Sequence, residues 1–129
     1  MTSVVWKNEP DEHDYPAAAA YLSLIAPADV VEQIVASLRE APIQHFKAKD
    51  ILRASRLTLL ALENPHVAAD LKKTQRNQKL SPVLLVRGDL ENGTALQIAD
   101  GYHRVCASYH IDENTDIPCR LGAHDRSGS

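Results

Sequence analysis

The chain has 129 residues, 44% of them apolar, enough for one buried core and near the common size of a single domain. Its longest apolar stretch, residues 17 to 26, is interrupted by Ser23 and stopped by Pro27, far short of the ~20 residues a membrane helix needs. Two cysteines, Cys106 and Cys119, and no charged-then-apolar leader argue against secretion and for a reducing cytoplasm, while the net charge of −3, taken as a total, speaks against a polyanionic partner.

Residues 1 to 13 are polar and read as a loose segment. Pro16 and Pro27 each fit a first helical turn, with Asp14 and Ala26 as start residues, and predict helices over about 16–25 and 27–40. In the second, Val30, Val31, Ile34 and Leu38 recur at helical spacing, which marks a packed face. A short extended piece, 43–46, leads into a helix over 47–55. The next helix has the clearest start in the chain, with Asn64 as cap and Pro65 in the first position, and should run to Arg76. Three β-like runs follow, 82–86, 95–99 and 117–121, with a helix over 101–110 between the last two. The closing AHDRSGS reads as a frayed tail.

Charge is distributed unevenly along this order. Residues 1–44 carry a net −5, residues 45–88 a net +6 and residues 89–129 a net −4, so a neutral-looking total conceals a basic middle third. Local charge decides whether a polyanion can dock. At 100° per residue, Lys49, Arg53 and Arg56 cluster opposite Ile51 and Ser55, and Lys72, Lys73 and Arg76 fall opposite Val67, Leu71 and Thr74. Lys47 and Lys79 flank these faces. An ordinary solvated helix surface is the plain reading of such residues, but a solvated face usually interleaves acids for i,i+4 pairing, and here they are scarce.

The stretch Asp100-Gly101-Tyr102-His103-Arg104 carries an apolar strand directly into a helix. The first amides of that helix have no acceptor within it, and the helix dipole adds positive charge at the same end. A phosphate is the expected occupant, with Gly101 allowing close approach, Arg104 offering a bidentate fork and His103 a further donor. Tyr102 would stack on a base or cover the core. Asp100 is discordant beside a phosphate and reads as a cap, a Mg²⁺ ligand or a base toward a hydroxyl. His103, Cys106 and His110, with Cys119, are residue types that suit zinc. Cysteines in such positions nevertheless serve mostly as small buried hydrophobes and His110 closes a helix end, so no metal site is expected.

From Lys47 to Leu121 the chain resembles the small domain shared by the N-terminal part of ParB partition proteins and by sulfiredoxin. The shared marks, in order, are Asp50-Ile51-Leu52, a helix, Leu80-Ser81-Pro82-Val83, the Gly-x-x-Arg turn from Gly101 to Arg104, Ala107, and Ile117-Pro118. The resemblance implies an α/β (α+β) fold, a small mixed sheet flanked by helices over 43–122. An N-terminal tail and helical extension (1–42) precede it and a disordered tail (123–129) follows. It also implies that Gly101, His103 and Arg104 sit on nucleotide phosphates. Sulfiredoxins carry a catalytic cysteine just after the glycine; Tyr102 stands there here, which argues against sulfinic-acid reduction. The helix-turn-helix that follows in ParB proteins has no counterpart in these residues, which speaks against centromere-like recognition.

The expected function is therefore a DNA-binding module, gripping phosphates with the Gly101–Arg104 turn and with Lys47, Lys49, Arg53, Arg56, Lys72, Lys73, Arg76 and Lys79, and dimerising through the N-terminal helices. The alternative is a nucleotide-dependent phosphotransferase, because the Asp-Gly-x-His-Arg turn also resembles that of free-serine kinases. It would use CTP or ATP with Mg²⁺, and Asp100 or Glu63 as base or metal ligand.

Overall fold

The structure, a computed structural model, describes residues 3 to 123. The described chain runs α1 (Asp14–Leu22), α2 (Ala28–Glu40), β1 (Ile43–Lys47), α3 (Ala48–Ser55), α4 (Pro65–Gln75), β2 (Val83–Val86), β3 (Gln97–Asp100), α5 (Tyr102–Ile111) and β4 (Asp116–Gly122). The strands form one mixed sheet in the order β1-β4-β2-β3, with β4 and β2 parallel and the other two pairings antiparallel.

Side-chain alternation along β2 explains the layering. Val83 and Leu85 point into a core with Ile51, Val67, Val105 and Ile117, which belong to α3, α4, α5 and β4. Leu84 and Val86 point the other way, into a second core with Tyr15, Leu22, Ile34 and Leu38 from α1 and α2. All four residues of β2 are buried, as a strand covered on both faces requires. Fully burying each such Leu or Ile contributes roughly 1.5–3 kcal/mol. The helices over residues 1–42 are therefore one face of a three-layer fold. Their apolar stripe packs on the sheet, while Tyr21 and, just after α1, Leu24 and Ile25 stay exposed.

Two boundaries differ from expectation for local reasons. Residues 5–7 are not loose: Trp6 bridges to Leu80 in parallel, and the Lys7 N–H donates to the Leu80 carbonyl at 2.8 Å. The first helix closes at Leu22, where the Ser23 hydroxyl turns back onto the Ala20 carbonyl at 2.7 Å and leaves Leu24 and Ile25 exposed. The tail expected at 123–129 lies, beyond Ala123, outside the described residues.

The start of α4 is built as its sequence indicates. The Asn64 side-chain oxygen accepts from the His66 and Val67 amides at 3.0 and 3.2 Å, with Pro65 in the first position. Asn64→Ala should lower unfolding stability by about 1 kcal/mol, read from urea denaturation.

Candidate functional site

Gly101 has a φ of +107°, a left-handed conformation that turns β3 into α5 within one residue. A Cβ there would lie 2.5 Å from the Val83 side chain and 2.9 Å from an Arg104 guanidinium nitrogen. The glycine thus makes room for the protein's own groups. The first bond within the helix runs from the Val105 N–H to the Gly101 carbonyl at 3.0 Å, leaving the amides of residues 102–104 outside the helical ladder.

Arg104 does not point to solvent. Its guanidinium lies 2.9 Å from the Asp100 carboxylate and 3.9 Å from Asp14 of α1, and its Nε is buried without a partner. Asp14 also accepts from the Ser81 hydroxyl at 2.8 Å and from the Asp11 N–H at 3.1 Å. The fork expected to hold phosphate is thus committed to two carboxylates, and Asp100 is an ion-pair partner. This cluster ties α1, the segment before β2, the end of β3 and α5 together.

The rest of the turn is also engaged. The Tyr102 hydroxyl donates to the Thr58 carbonyl, tethering the loop between α3 and α4. The His103 ring lies 4.7 Å, centroid to centroid, from the ring of His66 on α4. Burial is the first cause lowering the His103 pKa, with His66 next, so its neutral form is favoured. Asp70, one turn after His66, is buried and faces Arg104, Lys73, His103 and His66. Burial raises its carboxyl above the ordinary value, and burial likewise raises Asp100 despite the adjacent guanidinium.

The raised Asp70 carboxyl gives a pH prediction. Its native form holds a proton more tightly than the unfolded chain does, so the stability it contributes is present below the unfolded value near 3.8 and is lost as pH rises through the native value. Asp70→Asn should therefore be more stable than the parent at pH 7, with the difference closing on acidification. Urea midpoints across pH 3–8 check this.

The other expected residues are placed as follows. Glu63 is exposed in the turn before α4, outside the Arg104 cluster. His110 contacts the Leu60 carbonyl at 2.7 Å, Cys106 and Cys119 are buried free thiols, and among the described residues these side chains do not form a group at metal-ligand spacing. Among the described residues, Asp11, His13 and Asp14 do bring ligand atoms within 4.8 Å of one another, but Lys7 already pairs with Asp11 at 2.7 Å and Arg104 neighbours Asp14.

Six of the basic residues lie on α3 and α4 or at their ends, while Lys47 ends β1 and Lys79 precedes β2. Lys47, Lys49, Arg53, Arg56, Lys72, Lys73, Arg76 and Lys79 are all exposed. Among the described residues Arg53 pairs with Asp50 at 3.6 Å, Lys73 neighbours Asp70, and Arg56 donates to the Gly93 carbonyl at 3.0 Å. Of the acids of the N-terminal third, Asp29, Glu32 and Glu40 lie on α2, which packs on the other face of the sheet, while Asp11 and Asp14 lie beside Arg104 of α5. Sequence reasoning missed Asp14, Ser81, Asp70 and His66. The i,i+4 spacing of His66 and Asp70 was the available signal, while the contacts of Asp14 and Ser81 span 67 residues and leave no local trace.

No helix among the described residues is long and apolar enough to cross a membrane. Compared with known proteins, the chain matches no family model, no curated protein and no solved structure.

Proposed function

We propose that the chain is a ParB-like nucleic-acid-binding module of the cytoplasm whose contact surface is the basic layer of α3 and α4. The observation that carries this reading is the run of exposed lysines and arginines on α3 and α4, with the exposed acids of α2 on the opposite face of the sheet. Arg104 is spent within the fold, so phosphate contacts come from the helix faces, with the amides of residues 102–104 as an auxiliary donor set. Such binding is sequence-tolerant, and its affinity falls steeply with salt as counterions are released. Titrating labelled duplex DNA across 50–200 mM salt tests it; an affinity that barely changes over that range rules the reading out.

A second reading, the nucleotide-dependent phosphotransferase, draws on the raised pKa of Asp100, which suits a base. It requires Asp100 to be released from Arg104 when CTP or ATP and Mg²⁺ bind. Incubation with either nucleotide, Mg²⁺ and free amino acids decides it: turnover lost in Asp100→Asn supports this reading, and no nucleotide consumption removes it.

A further inference from the structure

Away from the Arg104 cluster, a cavity of about 520 Å³ lies between α3 and the loop joining β2 to β3, within the roughly 300–1,000 Å³ range of small-molecule sites. Its floor is apolar, made by Ile51 and Ala54 of α3 with Leu85, Leu96 and Leu121. Leu85 and Leu121 belong to the parallel strands β2 and β4, near their carboxyl ends, where open α/β sheets bind ligands.

The walls are fixed by backbone contacts. The Leu96 N–H donates to the Ala54 carbonyl at 3.1 Å, strapping the loop to α3. A Cβ on Gly88 would lie 2.4 Å from the Thr94 carbonyl oxygen, so the two arms of the loop are as close as glycine permits. At the loop tip Leu90 is 99% exposed, an apolar side chain held in water beside an apolar cavity.

The mouth is cationic. Arg53, Arg56 and Arg87 line it, together with Asp50 and Asp89. Both acids are already engaged: Asp50 pairs with Arg53, and Asp89 accepts from the Glu91 and Asn92 amides and the Asn92 side chain. Three arginines against two aspartates give the mouth a net positive charge above the apolar floor.

We propose that this cavity is a binding site for a small amphipathic anion, an organic molecule with an apolar ring or chain and one carboxylate, sulfonate or phosphate end. The apolar body rests on Ile51, Leu85 and Leu96, and the charged end meets Arg87 and Arg56. This site shares Arg53 and Arg56 with the proposed nucleic-acid surface, but Arg87 belongs to the cavity alone and Lys72, Lys73 and Arg76 take no part in it, so separate variants test the two readings.

The test uses the full chain with 1-anilinonaphthalene-8-sulfonate as an anionic apolar probe and circular dichroism to verify folding. One saturable site is expected, displaced by octanoate and not by octylammonium. Ala54→Trp, which fills the cavity from the exposed side of α3, should weaken the probe at least about tenfold. Arg87→Glu should weaken it about as much and Arg87→Lys should restore most of it; this exposed position carries the test should Ala54→Trp not fold. Absence of a saturable site, equal binding by folded Ala54→Trp or by Arg87→Glu, or displacement by octylammonium as effective as by octanoate would overturn the proposal.

Discussion

Replacing Lys72, Lys73 and Arg76 together with glutamate should lower affinity for duplex DNA on the order of 100-fold at 50 mM salt. The slope of log K against log salt should become shallower by about 2.7, the counterions released by three phosphate contacts. The three side chains are exposed and, among the described residues, only Lys73 neighbours an acid, Asp70, so the reversal falls mainly on the surface. Two of them lie in the last turn of α4, where the helix dipole favours cations, and each reversal there costs only about 0.3–1 kcal/mol. Fluorescence anisotropy across a salt series measures the affinity, and a thermal melt shows that the variant folds. Reversing Glu32 and Glu40 of α2 to lysine is the matching control: these lie on the far layer and should not reduce affinity. Equal affinity in the triple variant and the parent would end the nucleic-acid reading.

Arg104→Met should destabilise the fold by about 3 kcal/mol, because it leaves the buried Asp14 and half-buried Asp100 carboxylates without their cation. Methionine keeps much of the side-chain volume, so charge rather than a cavity dominates the loss. Adding Asp14→Asn and Asp100→Asn should recover a large part of it, since a buried ion pair is costly mainly when broken on one side. Urea denaturation of the single and triple variants measures both effects. An open phosphate-binding arginine would behave oppositely, costing DNA affinity and almost no stability.

The element order was legible because the signals were local. Asn64-Pro65 starts α4, the run from Val83 to Val86 is apolar throughout, and the first strand feeds directly into a helix at Lys47. The mixed sheet flanked by helices was expected and is observed. The Gly101 turn was found for a sound reason, a strand-to-helix junction, but its chemistry depends on Asp14. That residue reads in sequence as an ordinary helix start, and it reaches Arg104 across 90 positions. The placement of α1 against β3 and β2 was equally silent, because an apolar helical stripe does not reveal which sheet face it covers. Trp6 was assigned to a loose segment because one parallel bridge leaves no periodicity.

The pairing of β4 with both β1 and β2 has a consequence for how the molecule comes into being. During synthesis β2 and β3 can pair with each other, but β1 has no strand partner until residues 116–122 have left the ribosome. The helices already made would meanwhile have only the β2–β3 pair to cover, half of the finished sheet. Closure of loops this long is slow, so the nascent protein should depend on a chaperone-like shelter, or on speed of translation, far more than the stability of the finished fold suggests.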